Sequence, residues 1–320
     1  MDLPVEDLLT LYYYLRLTRG LEDRVIKMYR QGRILGGCYV STGEEAISVG
    51  SAYALEPQDV IAPSHRDLGA HLVKGILPRS YMAQYLGRRT GLTRGKDGNI
   101  HFGDLQHHII GFISSMADGI PVAAGAALAF KIRREPRIAV AYFGDGASSR
   151  GDFHEGLNLA AVLTLPIVFI WHNNQYAFSV PLSRQMAVPH VADRAKAYGF
   201  PTQIIDGNDI LAVYAATRAA AARARSGAGP TFIECKTMRM RGHAEHDDAS
   251  YVPRELLEEW RERDPILRFE QVLRGRQVPD DRLRAVEARV VHEIEEAITF
   301  AEQSPLPDGA EALEGVFAEP

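Results

Sequence analysis

The amino-acid sequence predicts an α/β fold: a doubly wound, mostly parallel sheet with helices on both faces. Two continuous apolar runs, RIAVAYF (137–143) and LPIVFIWH (165–172), are typical of parallel strands covered on both sides. Between them, GDFHEGLNLAAVL (151–163) has the pattern of a helix. A second strand–helix–strand pattern follows, so one α/β domain with helical extensions at both ends accounts for the chain.

The other elements follow from the spacing of apolar residues. Residues 5–31 carry apolar side chains at helical intervals. Residues 41–55 predict a helix with a cap at Ser41 or Thr42, and the Ala/Gly-rich residues 119–134 predict a buried helix. DVIAPSHRD indicates a short strand that runs into a polar turn. The later strand, helix and strand are predicted at PTQIIDGNDI, VYAATRAAAARARS and PTFIECKTMRM.

The domain organisation follows from these elements. We expect an N-terminal helical extension over 1–40, the α/β domain over 41–255, and C-terminal helices with a loose tail over 256–320. Asp152 and Glu155 are spaced as a capping box for the helix that follows the first long apolar run.

Composition narrows the class of protein. The chain has 320 residues, 46% of them hydrophobic and 24% charged, which fits a soluble protein with a sizeable core. The net charge is −5, so the chain has no overall positive charge that would attract nucleic acid. Cys38 and Cys235, the only cysteines, are too few for a disulfide framework. No run approaches the roughly 20 apolar residues of a membrane span. We therefore expect a cytoplasmic protein with no nucleic-acid or membrane partner.

Gly144-Asp145-Gly146 directly follows the first apolar run. A Gly-x-Gly turn after a strand is typical of close approach to a phosphate, but a bare carboxylate would repel one. A dinucleotide fingerprint lacks its third glycine here, because Ser149 occupies that place. A divalent cation between carboxylate and diphosphate removes the conflict, and Mg²⁺ prefers oxygen ligands of this kind. A solvated Asp in a glycine turn is the simpler alternative.

Asn173-Asn174 ends the next apolar run. Residues 147–172, enough for one crossover helix, separate it from Gly146. The carboxyl ends of parallel strands meet at one edge of a sheet, where ligands bind. Two asparagines alone usually form a turn, but the pair of motifs one crossover apart is a far more specific signal for a metal-bridged diphosphate.

With these two motifs the sequence resembles the thiamine-diphosphate enzymes, whose signature is Gly-Asp-Gly followed by Asn-Asn at about this distance. The resemblance extends over nearly the whole chain, to the α subunit of the decarboxylating component of 2-oxo acid dehydrogenase complexes of the pyruvate, branched-chain and acetoin types. The matching blocks are TRGLEDRVIKMYRQGRI, STGEEAISVGSAYAL, SHRDLGAHLVKG, GIPVAAGAALAFK, YFGDGASSRGDFHEGLNLAAVLTLPIVFIWHNNQYAFS, IDGNDILAVYAAT and GHAEHDD.

The resemblance implies a set of cofactor contacts. Asp145 and the Asn174 side chain match the Mg²⁺ ligands, with the backbone carbonyl of Tyr176 as the third. Other matches lie against thiamine diphosphate. They are Gly144, Gly146 and Ala147 along the diphosphate, Arg66 and the preceding His65 (usually Tyr) beside it, and the Ser114–Met116 backbone at the aminopyrimidine.

His243, in RMRGHAEHDDAS, matches the family's active-site histidine on a mobile loop. The resemblance implies that it also contacts the cofactor, and that it helps to orient substrate, lipoyl group or diphosphate by hydrogen bonding. A metal cluster of His243, His246 and the following aspartates is an alternative, although no further Cys or His accompanies it. Regulated members carry a phosphorylatable Ser directly after the histidine. Here that residue is Ala244, so we expect this switch to be absent.

The resemblance also implies partners and a reaction. The catalytic Glu that faces the aminopyrimidine should come from a β subunit in an α₂β₂ heterotetramer. The enzyme would oxidatively decarboxylate a branched-chain 2-oxo acid or pyruvate and pass the acyl group to a lipoyl domain of an acyltransferase. An acetoin dehydrogenase α subunit and a non-catalytic cofactor-binding regulatory subunit are alternatives. IDGNDILAVYAAT and the Asp-Asp pair lean slightly toward the branched-chain type. We expect part of segments 45–54 and 119–130 to meet other subunits.

Overall fold

The computed structural model describes residues 3–112, 114–315 and 317. The strands in this part of the chain are Val60–Ala62 (β1), Ala139–Gly144 (β2), Ile167–Asn173 (β3), Tyr176–Ala177 (β4), Val180–Pro181 (β5), Thr202–Asp206 (β6) and Thr231–Lys236 (β7). The central sheet has five strands in the order β1-β2-β3-β7-β6, and every neighbouring pair is parallel. A separate antiparallel pair, β4 and β5, follows β3. The predicted α/β class and parallel sheet are confirmed.

Helices cover both faces of the sheet. Within the described residues they are Val5–Arg30 (α1), Glu45–Tyr53 (α2), Leu68–Val73 (α3), Pro78–Tyr85 (α4), Gly119–Arg133 (α5), Gly151–Val162 (α6), Val191–Lys196 (α7), Ile210–Arg225 (α8), Arg254–Arg261 (α9), Pro265–Gly275 (α10) and Asp280–Gln303 (α11). One hydrophobic cluster joins the sheet to α5, α6 and α7, and another joins it to α1, α2 and α8.

Strand β2 shows why its sequence is an unbroken apolar run. Ala139, Ala141 and Phe143 belong to the cluster with α5 and α6, whereas Val140 and Tyr142 belong to the cluster with α2 and α8. Successive side chains of a strand point to opposite faces, and each of these five is at most 4% exposed. Both faces of β2 are therefore buried, which explains why apolar residues occupy every position from Ala139 to Phe143.

Both predicted helix caps are wrong. Helix α2 begins later, after Glu44, and neither α2 nor α6 has a side-chain cap. The Ser41 hydroxyl and backbone N–H donate instead to the buried Glu22 carboxylate. At α6, a 3-10 turn over Asp145–Ser149 leads directly into the helix. Asp152 accepts a hydrogen bond from the Arg150 side chain.

Helices α2 and α5 differ in how much of their surface is exposed and so able to contact other subunits. Every residue from Glu45 to Ala52 is buried within this chain, so the expectation that part of 45–54 meets another subunit is wrong for these residues. Helix α5 is buried on one face only, because Val122 is 42% and Ile132 is 72% exposed. Within the described residues, no helix is both long enough and apolar enough to cross a membrane.

Candidate active site

A cavity lies at the carboxyl edge of the sheet, where segments that follow β1, β2, β3 and β7 converge. This is the edge at which doubly wound sheets bind their ligands. All the residues predicted for the cofactor site line it except Ser114, which is exposed outside it while the adjacent Ser115 is part of the wall. The predicted residues that line the cavity are His65, Arg66, Met116, Gly144, Asp145, Gly146, Ala147, Asn174, Tyr176 and His243.

Asp145 is the buried acid of the cavity. Its side chain is 2% exposed, and neither carboxylate oxygen has a hydrogen-bond partner among the residues that the structure describes. Burial, and next the charge of Glu44, raise the pKa of Asp145 well above its usual range. The backbone N–H groups of Asn174 and Tyr176 oppose that shift without making a hydrogen bond of ordinary geometry. A buried carboxylate without donors is costly unless a cation accompanies it.

Oxygen donors lie beside this carboxylate. The β2–β3 register pairs Gly144 with His172, which brings the residues just beyond each strand end together. Asn174 and Tyr176 line the same cavity as Asp145. One carboxylate, one amide oxygen and one backbone carbonyl are the hard ligands that Mg²⁺ takes, with water and phosphate completing its shell. The residues present therefore fit a magnesium ion.

Two buried guanidinium groups supply positive charge without a carboxylate partner among the described residues. Arg66, 4% exposed, donates to the carbonyl oxygens of Val40 and His243, both at 2.6 Å. Burial lowers the pKa of Arg66 to about 10, which still leaves it charged at neutral pH. Arg239, 3% exposed, donates to the Phe178 carbonyl at 3.0 Å and also lines the cavity. Uncompensated buried cations suit an anionic ligand such as diphosphate.

Gly146 keeps the cavity floor open. A Cβ added there would lie 2.9 Å from the Cε of Met116, closer than real Cβ contacts come. A side chain at this position would push Met116 away or fill the cavity. Glycine therefore leaves the backbone accessible to a bound group.

Glu44, His172 and Asp67 form a buried row beside the cavity that the sequence did not reveal. His172 Nδ1 lies 3.2 Å from Glu44 Oε2, and its Nε2 lies 3.0 Å from Asp67 Oδ1. Burial by itself would lower the pKa of His172, but the Asp67 and Glu44 carboxylates raise it to about 10. His172 is therefore an imidazolium at neutral pH. Both Glu44 and His172 line the cavity.

His243 lies at the cavity wall as a neutral imidazole. Burial, then the charges of Arg66 and Arg239, lower its pKa to about 3. Its ring packs against the rings of Tyr39 and Phe178, with centroids 5.2 and 4.7 Å away. Its Nδ1 lies 3.3 Å from Arg66 Nη2.

The loop around His243 is held by Asp247. The carboxylate of Asp247 accepts hydrogen bonds from the His243 N–H and the Tyr251 hydroxyl, both at 2.6 Å. Across the described residues, no three His, Cys, Asp or Glu side chains come together as a metal-binding group, so the alternative of a His243–His246 metal cluster is wrong. Ala244 follows the histidine and offers no hydroxyl for phosphorylation.

Arg239 was missed for a topological reason. It lies three residues beyond the end of β7, in KTMRMRG, where it looks like an ordinary surface cation. Only the pairing of β7 beside β3 brings it to the cavity edge. Nothing in the sequence indicated that Glu44 lines the cavity, because the segment STGEEA is typical of the first turn of a helix.

Comparison with known proteins agrees with this geometry. The family model described as "Dehydrogenase E1 component" matches residues 13–309. The α subunit of acetoin:2,6-dichlorophenolindophenol oxidoreductase from Bacillus subtilis is 40% identical over 99% of this chain and 95% of that protein. The pyruvate dehydrogenase E1 component subunit alpha of Porphyra purpurea is 35% identical over 100% of this chain and 95% of that protein.

A third relative is named for a branched-chain substrate. The 2-oxoisovalerate dehydrogenase subunit alpha of Bacillus subtilis is 34% identical over 99% of this chain and 97% of that protein. The E1 family depends on thiamine diphosphate, and its α subunits act with a β subunit. The chain therefore belongs to the dehydrogenase E1 component family, as an α subunit of the pyruvate, 2-oxo acid or acetoin type.

Proposed function

We propose that this E1 α subunit holds the diphosphate end of thiamine diphosphate through Mg²⁺, in an enzyme that oxidatively decarboxylates a branched-chain 2-oxo acid or pyruvate. The acyl group then passes to a lipoyl domain of an acyltransferase. The observation that carries this proposal is Asp145, a buried carboxylate for whose two oxygens the described part of the chain offers no hydrogen-bond partner. It shares its cavity with two buried arginines that have no carboxylate partner among the described residues.

Each residue has a role in this proposal. Asp145, the Asn174 amide oxygen and the Tyr176 carbonyl hold Mg²⁺. The cations Arg66 and Arg239 bind diphosphate oxygens through charge-assisted hydrogen bonds. The other assigned contacts are Gly144, Gly146 and Ala147 to the diphosphate by backbone, His65 beside it, and Ser115 and Met116 along the aminopyrimidine; Ser114, which lies outside the cavity, is not assigned.

Bound thiamine diphosphate supplies the electron sink for breaking the bond between a carbonyl carbon and its carboxylate. His243 contributes as a neutral imidazole, which can donate from one ring nitrogen and accept at the other. Its low pKa keeps a further positive charge out of the site at physiological pH. The Glu that faces the aminopyrimidine comes from the β subunit.

The outer face of α5 and α6 is the proposed contact with the β subunit in an α₂β₂ assembly. Val122, Ile132 and Val162 are 42, 72 and 71% exposed on these two packed helices. Exposed aliphatic side chains on neighbouring helices suit an obligate interface, which commonly buries more than about 2,000 Å². The two buried free cysteines fit a reducing cytoplasm.

Acetoin is the second candidate substrate, because the acetoin-type relative is 40% identical and the 2-oxoisovalerate-type relative 34%. The segments that lean toward branched-chain acids do not line the cavity. Asp209 of IDGNDI caps α8, and Asp247 holds the loop backbone. They therefore shape the scaffold rather than contact a substrate side chain.

Calorimetry on the chain co-purified with its β subunit tests the proposal. Thiamine diphosphate should bind only when Mg²⁺ is present, and Asp145→Ala should abolish that binding. Near-normal affinity in Asp145→Ala would refute the metal assignment. Turnover of the same enzyme with pyruvate, 2-oxoisovalerate and acetoin then identifies the substrate.

A further inference from the structure

The row of Glu44, His172 and Asp67 connects three separate parts of the chain. Glu44 precedes α2, His172 lies near the end of β3, and Asp67 precedes α3. Glu44 and Asp67 are 0% exposed and His172 is 2% exposed. His172 lies between the two carboxylates, at 3.2 Å from Glu44 and 3.0 Å from Asp67. The imidazole thus spans the gap between the two buried acids, with one ring nitrogen near each of them.

The amide of Asn174 lies at the Glu44 end of this row. Asn174 Nδ2 is 3.1 Å from Glu44 Oε1 and 3.3 Å from Glu44 Oε2. The amide nitrogen is the donor in both contacts and the carboxylate oxygens of Glu44 accept, so the nitrogen is the side of the amide that faces Glu44. The amide oxygen is then turned away from Glu44, in a side chain that lines the cavity. Glu44 at the amide nitrogen and the Tyr176 N–H, 3.4 Å from the amide oxygen, therefore favour the same orientation of an otherwise nearly symmetric amide.

The Asp67 end of the row fixes the turn that carries Arg66. Asp67 Oδ2 accepts a hydrogen bond from the Ser64 N–H at 2.6 Å, which closes the turn around Arg66. The same turn continues into α3, whose His71 Nδ1 lies 2.8 Å from the Asp67 carbonyl oxygen. The row therefore ties the diphosphate-binding turn to the metal-binding amide.

We propose that Glu44 is a positioning residue for the metal site: held by His172 and Asp67, it orients the Asn174 amide so that oxygen, not nitrogen, faces the cation. This inference rests on the proposed function and deepens it. In this role Glu44 acts through the Asn174 amide and is not itself a ligand. Replacing Glu44 by Gln puts a second amide against Asn174 and the His172 N–H. Asn174 can then turn its nitrogen toward the cavity, where it cannot bind a cation.

A double-mutant cycle tests this role in the enzyme co-purified with its β subunit. Glu44→Gln, Asn174→Ala and the combined variant are compared with wild type by calorimetric titration of Mg²⁺ at saturating thiamine diphosphate. Loss of a group that orients a metal ligand typically weakens metal affinity about 10- to 100-fold. We expect that loss in Glu44→Gln. In the Asn174→Ala background, Glu44→Gln should change affinity less than about threefold, because no amide remains to orient.

Glu234→Gln is the matched control. Glu234 is also 0% exposed and also accepts a hydrogen bond from an asparagine at the end of β3, Asn173 Nδ2 at 2.8 Å. Neither Glu234 nor Asn173 lines the cavity, so this variant should keep Mg²⁺ affinity within about threefold. If Glu44→Gln does not fold, Glu44→Asp replaces it, since the shorter side chain keeps the charge but withdraws the acceptors.

The possible results distinguish a failure of the proposed role of Glu44 from a failure of the proposed cofactor binding. Additive losses in the cycle would show that Glu44 is a ligand or acts by charge alone, and would overturn the inference. Wild-type affinity in the folded Glu44 variant would overturn it too. If the wild-type enzyme itself showed no Mg²⁺-dependent cofactor binding, the proposed function would fail and the inference with it.

Discussion

Replacing Asp145 with Asn should stabilise the cofactor-free enzyme while abolishing Mg²⁺-dependent cofactor binding. In the absence of a cation, the buried Asp145 carboxylate has no hydrogen-bond partner within residues 3–112, 114–315 and 317, and it faces the charge of Glu44. An unsatisfied buried polar group costs about 1–3 kcal/mol, and a charged one more. Asn has the same shape without the charge. We expect a gain of roughly 1–3 kcal/mol in the free energy of unfolding, seen as a rise of a few degrees in Tm.

The pH dependence of this gain has a definite sign. The pKa of Asp145 is raised in the folded state, so the folded state binds its proton more tightly than the unfolded state. The stability contributed by that proton is complete below the unfolded pKa and is lost as pH rises through the folded pKa. The advantage of the Asp145→Asn variant over the wild type should therefore be small in acid and grow with pH.

Differential scanning calorimetry of the cofactor-free enzyme, with and without Mg²⁺ and thiamine diphosphate, measures both effects. Asp59→Asn is the control. Asp59 is 0% exposed, but its carboxylate accepts hydrogen bonds from the Glu56 and Ile138 backbone and from Arg225. The same substitution there should destabilise by about 1–3 kcal/mol or more. A cofactor-free Asp145→Asn protein that melts at or below wild type would refute the account of Asp145 as an uncompensated charge.

Three further predictions concern catalysis. His243→Ala should leave cofactor affinity unchanged but slow reductive acylation about 10²–10⁴-fold, and a change below threefold with the β subunit present would refute a role at the reacting centre. Because the pKa of His243 is lowered to about 3, its imidazole NMR signals should not shift between pH 5 and pH 8, and a titration in that range would contradict the neutral assignment. The isolated α chain, given Mg²⁺, thiamine diphosphate and a 2-oxo acid, should release no CO₂, and sustained turnover without a second polypeptide would show that the catalytic Glu is not supplied by a β subunit.

Local patterns in the sequence were sufficient for predicting the sheet and for placing two residues in the cavity of the candidate site. β2 and β3 are covered on both faces, so their apolar runs are unbroken and easily recognised. Asp145 and Asn174 follow those strands directly, and neighbouring parallel strands bring their carboxyl ends together. Strand–helix–strand connectivity therefore determines that these two side chains meet.

The residues at which helices begin could not be predicted from local sequence in the same way. Serine commonly caps helices, but the hydroxyl and the backbone N–H of Ser41 donate hydrogen bonds to the carboxylate of Glu22 in α1 instead. Such competition for a hydrogen-bonding group depends on α1 packing beside the loop that precedes α2. No local propensity contains that information.

The surroundings of the proposed metal site depend on tertiary structure alone. Glu44 and Arg239 line the cavity and Asp67 lies behind it, and the three come from segments far apart in the chain. By itself the sequence determined the fold class and the residues that follow two adjacent strands, because both depend on short-range periodicity. Which buried charges compensate one another depends on the order of the strands and on helix packing, and these bring together Glu44, His172 and Asp67 only in the folded chain.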